Sequence, residues 1–265
     1  MSKKEFKESA IYLYKLTKEF IKELFEPKVS FYAASMSWAT IFFVIPLLVI
    51  ILSIIVYTPI FTQYYDKIHT IIANSLVPGS SKVIMQWIDK FIANASSMGI
   101  IGVAYITVAS IMFFRDFDYI VNDIFDNERR SFKDAIITYF LILIIIPISL
   151  GGTIWIYTKV GKELHITPYI MQFILTWATI FILYKVSPKE KIPTKIVAIS
   201  SFVATFVWYI AKSIFILYLY YNKTYTTIYG GVSIALFFFL WIYISWVIFL
   251  HGLQLSSVLY NEDKE

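Results

Sequence analysis

The run FVATFVWYIAKSIFILYLYY, residues 202–221, places one lysine, Lys212, among Phe, Val, Ile, Leu, Trp and Tyr. An ammonium left in hydrocarbon costs roughly 2.5–3.5 kcal/mol on insertion scales, so Lys212 either reaches the interface or has something to hold. It lies about 12 Å from the outer end of its expected helix at 1.5 Å per residue, much of which a snorkelling lysine stem covers. The other answer is compensation from within, by Tyr hydroxyls, backbone carbonyls or a bound anion. A phospholipid headgroup phosphate matches a compact ammonium directly. The sequence leaves both answers open.

No comparable set exists for hydrolytic chemistry. The three histidines, His69, His165 and His251, are scattered, and no HxH or HExxH pattern is present. The expected spans hold no Asp or Glu, so neither metal-assisted hydrolysis nor a Ser-His-Asp triad finds its residues. Asp116, Asp118, Asp123, Asp126 and Glu128 gather in one link, but Arg115, Arg129, Arg130 and Lys133 accompany them. With no metal-loop spacing, these read as a solvated ion-pair network. Catalytic residues, metals and cofactors are all expected to be none, and the chain reads as not an enzyme. A coupled carrier normally needs an ionisable relay in the membrane, for which only Lys212 and His251 are available, and His251 reads as packing.

The elements that must position Lys212 follow from composition. Apolar residues make up 58% of the 265 and charged residues 15%, and several apolar runs reach the roughly 20 residues that cross a bilayer. The fold class is therefore an all-α polytopic membrane protein, a single membrane domain over residues 1–265. Six transmembrane helices are expected at 30–57, 98–114, 135–158, 169–186, 196–220 and 230–259. Residues 1–28 have the stripe of an amphipathic interfacial helix, ended by Pro27, and do not read as a cleavable signal peptide. An outer amphipathic hairpin is expected over 58–97, turning at Pro78-Gly79. Residues 115–134 read as another short amphipathic helix, with Phe117, Ile120, Val121 and Ile124 apolar. Pro46 and Pro147 each remove a backbone donor inside a span, and Gly151-Gly152 follow the second, so hinges are expected there.

Basic residues concentrate in the segments that are inside if the N-terminus is inside, which predicts cytoplasmic N- and C-termini in a multi-pass protein of the bacterial inner membrane. The net charge of +5 is then a topology signal, and no nucleic-acid partner is expected. Cysteine is absent, so there are no disulfides.

The stretch from Tyr184 to Leu259 carries Tyr184, Pro188, Trp208, Lys212, Phe215, Tyr218, Tyr229-Gly230, Trp241 and Gly252 in a characteristic order and spacing. Upstream stand AASMSWATIFFVIPLL, ending in Pro46-Leu47, and DYIVNDIFDNERRSF, with Asn122 before a basic pair. In these features the chain resembles the YihY/virulence factor BrkB family of bacterial inner-membrane proteins, once labelled ribonuclease BN-like. The resemblance covers nearly the whole chain and implies six spans with cytoplasmic termini. Trp208, Tyr218 and Tyr229 join Lys212 as candidate ligand-binding residues, and Gly230 and Gly252 join the structural positions. The chain departs from the family at Trp38, usually tyrosine, at Phe43, usually serine, and at Gln254, where a glutamate is usual.

The leading expectation is a non-enzymatic inner-membrane protein that binds or transports lipids or other amphiphiles for the cell envelope. The alternatives are a small-solute transporter or a scaffold for an envelope partner, with a ribonuclease least supported. Expected partners are membrane lipids and an envelope protein reached through the outer hairpin, and a homo-oligomer is compatible with the sequence.

Overall fold

A backbone in hydrocarbon must satisfy its N–H and C=O groups internally, and a helix does this within one segment. The computed structural model describes residues 27–56, 86, 90, 99–128, 130–131, 168–221 and 232–264. Among them lie five helices: α1 (Pro27–Val56), α2 (Gly99–Ile124), α3 (Pro168–Val186), α4 (Thr194–Tyr221) and α5 (Val232–Lys264). Prolines open α1 and α3, where a missing N–H costs nothing because the first turn has no acceptor for it. Asp126 ends α2 in a left-handed conformation, φ 52°. Its N–H bonds Asp123 O at 3.2 Å and that of Asn127 bonds Asn122 O at 2.9 Å, the paired closure of a Schellman motif.

Hydroxyls on these helices are satisfied locally. Ser37, Thr40, Thr176, Thr179, Ser200, Thr205 and Ser213 each donate to the carbonyl four residues earlier. This lets polar side chains lie on a helix without needing water.

The expected architecture of six transmembrane helices with an amphipathic interfacial helix and an outer hairpin is corrected here. Among the described residues there are five helices, and two segments are long and apolar enough to cross a membrane: Thr194–Tyr221 and Ala235–Lys264. Ile170–Val186 is a shorter apolar helix. The expected break at Phe114/Arg115 does not exist, because α2 continues from Gly99 to Ile124. Phe117, Ile120 and Val121 keep its apolar register and are buried, so Arg115 and Asp116 are carried on a continuing helix rather than ending one. Pro27 is the first residue of α1. The expected span at 135–158, residues 1–26, and the hairpin at 58–97 except Gln86 and Lys90 lie outside the described residues.

The surface of α4 shows which kind of helix it is. Ile199, Val203, Phe206, Ile210, Ile214 and Leu217 are all exposed, at steps of three and four. An exposed apolar stripe of this length suits hydrocarbon, not water.

The chain divides into two compact units, the first drawn from Met1–Tyr32, Arg115–Trp208 and Val247–Glu265, the second from Ala33–Phe114 and Tyr209–Trp246. In the first, Tyr184 is wholly buried and its hydroxyl donates to Phe249 O at 2.6 Å, with the two rings edge-to-face at 5.0 Å. A Cβ added at Gly252 would overlap the Tyr184 hydroxyl and come within 2.6 Å of Ala204 Cβ, so α3, α4 and α5 meet here at a distance only glycine permits. Beside this contact, the Trp177 indole donates to Ser201 Oγ at 3.0 Å.

The second unit is held by aromatic rings. Phe43 stacks on Phe113 at 4.8 Å and Phe215 on Trp241 at 5.0 Å, while Tyr218 meets Phe237 edge-on at 6.1 Å. The Trp246 indole donates to Thr40 Oγ1 at 2.8 Å, and Thr40 in turn donates to Met36 O.

Replacing Gly252 with alanine is expected to destabilise the first unit by about 1–3 kcal/mol, the usual cost of overpacking. Thermal unfolding in detergent reads this as a lower melting temperature. An unchanged value would mean that α5 shifts at no cost.

Candidate functional site

Lys212 lies on α4 and is half-buried. Counting 100° per residue, it stands roughly 160° around the helix from exposed Ile210 and Ile214, about 140° from Leu217, about 60° from Phe215 and about 40° from exposed Ile216. Phe215 is buried against Trp241. The lysine is therefore opposite Ile210 and Ile214, on a side of α4 that holds both buried Phe215 and exposed Ile216. Its ammonium lies 5.8 Å from the centre of the Tyr209 ring, at the edge of cation–π range.

Of the residues expected beside it, Tyr218 is on the same helix and packs on Phe237 in the same unit. Trp208 is half-buried and belongs to the first unit. Gly252 lies in α5 at the close contact with Tyr184, and Pro46 lies within α1, whose helix continues through it. Tyr229, Gly230, Pro147, Gly151 and Gly152 fall outside the described residues. The chemistry within reach of Lys212 is recognition of an anion beside aromatic surface.

A second polar group, in the first unit, is more buried than the sequence suggests. Asp118 and Asn122, one turn apart on α2, are both buried. Asn122 Nδ2 donates to Asp118 O and to Asp118 Oδ1, each at 2.9 Å, and Asn122 Oδ1 accepts the Lys189 N–H at 3.3 Å. The Arg130 side chain is only 9% exposed; Nη2 donates to Val186 O at 3.4 Å and Nη1 stands 4.0 Å from Asp118 Oδ1. The solvated network expected for this link is thus a buried one at Asp118, Asn122 and Arg130. Asp123 has a partly exposed pairing, with Lys28 at 2.6 Å and with the Tyr32 hydroxyl, which donates at 2.7 Å. The signal available in sequence was Phe117, Ile120 and Val121, whose spacing puts Asp118 and Asn122 beside the buried face.

The loop between α3 and α4 is fixed by this group and by its own bonds. The Lys185 ammonium bonds Ile192 O, and the Tyr260 hydroxyl donates to Glu190 Oε2 at 3.3 Å. Gln254, where the family resemblance implies a glutamate, is buried. A ring nitrogen of His251 lies 2.9 Å from Val247 O, within its own helix.

Comparison with known proteins adds a family. The profile described as "Virulence factor BrkB" matches residues 20–265. A UPF0761 membrane protein of Haemophilus influenzae is 28% identical over 251 residues, covering 91% of this chain and 93% of that relative. One from Pasteurella multocida is 30% identical over 211 residues, covering 76% and 67%. One from Mannheimia succiniciproducens is 25% identical over 238 residues, covering 86% and 83%. No solved structure matches the chain.

Substituting Asn122 with leucine removes the two bonds to Asp118 and the one from Lys189. The expected loss is about 1–3 kcal/mol, because Asp118 and the Lys189 N–H each lose a partner. Thermal unfolding should show it, and full wild-type stability would remove Asn122 from the framework of the first unit.

Proposed function

The chain belongs to the virulence factor BrkB family, and on that footing we propose that this inner-membrane protein is non-enzymatic and binds or passes lipids or similar amphiphiles for the cell envelope. The observation that carries the reading is the placement of Lys212. Its cation is half-buried within the apolar stretch of α4, opposite exposed Ile210 and Ile214 and one turn from the buried Phe215–Trp241 stack. A lipid headgroup phosphate complements the ammonium, while aromatic and aliphatic side chains suit the glycerol and acyl portions. Family membership and the two spanning-length helices support the inner-membrane location.

The distribution of basic residues supports an orientation with both termini in the cytoplasm. Lys28 in the first turn of α1, Lys185 in the last turn of α3, Lys189 and Lys191 in the loop that follows and Lys195 in the first turn of α4 stand at helix ends that the positive-inside rule assigns to the cytoplasmic side. The non-enzymatic part of the reading rests on the sequence, in which no nucleophile, base and orienting group share an expected element.

The test is lipid mass spectrometry on protein purified in mild detergent, comparing wild type with Lys212→Leu. Selective loss of a co-purified anionic lipid in the variant is the expected result. Identical lipid profiles from two equally stable proteins would reduce Lys212 to an anchor and sink the lipid-handling reading.

A further inference from the structure

The buried side-chain nitrogen and oxygen atoms without a hydrogen-bond partner among the described residues are Asn127 Nδ2, Arg130 Nη1, Ser187 Oγ, Gln254 Oε1, Ser256 Oγ and Glu262 Oε2. All belong to the first unit. Native proteins pair nearly all such atoms, so each one calls for a physical account. Three of these lie on two segments that are stitched together. Asn127 and Arg130 are in the turn leaving α2, and Ser187 is the first residue past α3. Arg130 Nη2 bonds Val186 O, the residue before Ser187, and Asn122 Oδ1 takes the N–H of Lys189, two residues after it. The Asn127 N–H closes back on Asn122 O.

The three groups share a chemistry. Asn127 Nδ2 and Arg130 Nη1 can only donate, and a serine hydroxyl can donate as well. What they lack is an acceptor. The neighbouring carboxylate does not serve, because Asp118 Oδ1 stands 4.0 Å from Arg130 Nη1, beyond hydrogen-bond range, and already accepts from Asn122 Nδ2 at 2.9 Å. With its side chain nine-tenths buried, Arg130 is charge-paired with Asp118 at 4.0 Å while its Nη1 keeps no hydrogen-bond acceptor. Lys189 and Lys191 of the adjoining loop and Lys195 at the start of α4 are exposed within seven residues, and three cations together raise the local concentration of anions.

We propose that the turn after α2 and the turn after α3 form a binding site for a phosphate-type oxyanion, with Arg130 Nη1, Asn127 Nδ2 and Ser187 Oγ as its donors. Guanidinium is the side chain best suited to phosphate oxygens, and the exposed lysines deliver the anion to it. Free phosphate and a phospholipid headgroup present the same oxygens. The site is separate from Lys212 and does not rest on the reading given to that residue.

The experiment uses the full chain in detergent, with wild type, Ser187→Ala and Arg130→Lys. The first variant removes one donor with little change of shape, and the second keeps the charge but not the fork, so at least one should fold. Melting temperature is followed in inorganic phosphate against chloride at matched ionic strength, and native mass spectrometry records retained phospholipid. If free phosphate is the ligand, it raises the wild-type melting temperature, and each folded variant needs about tenfold more for the same rise. If a headgroup fills the site, phosphate has little effect, while a phospholipid retained by wild type is lost from the variants. Two outcomes overturn the proposal: no stabilisation beyond chloride together with unchanged phospholipid, or variants that bind either ligand as wild type does.

Discussion

The wholly buried hydroxyl of Tyr184 donates to the carbonyl of Phe249 in the space that Gly252 leaves open. Much of the first unit depends on this contact. Between apolar helices in lipid there is no hydrophobic drive to associate, so close packing and buried hydrogen bonds must supply the attraction. Here a single side chain does both. Its ring meets Phe249 edge-on, its hydroxyl bonds the backbone of α5, and the absent Cβ of Gly252 admits Ala204 of α4 to the same point. Because Tyr184 stands less than one turn from the end of α3, the contact also sets where the following loop begins.

That loop is held like an element of regular structure. Lys185 and Tyr260 tie it to its own backbone and to α5, and Asn122 and Arg130 tie it to α2 and the turn beyond. In the second unit stacked and edge-on rings pack the helices, and the Trp246 indole of α5 donates to Thr40 of α1.

Particular residues show how much of this was legible. The helical spacing of Phe117, Ile120 and Val121 was plain in the sequence, but Arg115 beside a long apolar run reads as a membrane exit and so as a helix end. A helix has no need to stop where its environment changes, and α2 continues through Arg115 to Ile124. Of the six expected spans, two segments among the described residues are long and apolar enough to cross a membrane, and Ile170–Val186 is a shorter apolar helix. Gly252 stood out as a landmark, but its neighbours, Tyr184 and Ala204, are 68 and 48 residues away in sequence and could not be paired without the fold. The facing of Lys212 was hidden because its neighbours are apolar on every side, so periodicity carries no information there. Burial distinguishes the two faces where hydrophobicity does not.

That asymmetry of α4 bears on how the protein is made. A helix apolar all round has no preferred rotation about its own axis in a bilayer. In α4 a half-turn would bring the Lys212 ammonium into hydrocarbon at roughly 2.5–3.5 kcal/mol, while withdrawing Ile210, Ile214 and Leu217 from it. One charged residue thus biases the rotational setting of the helix during insertion, so that α4 meets its neighbours with the Phe215 side already turned toward them.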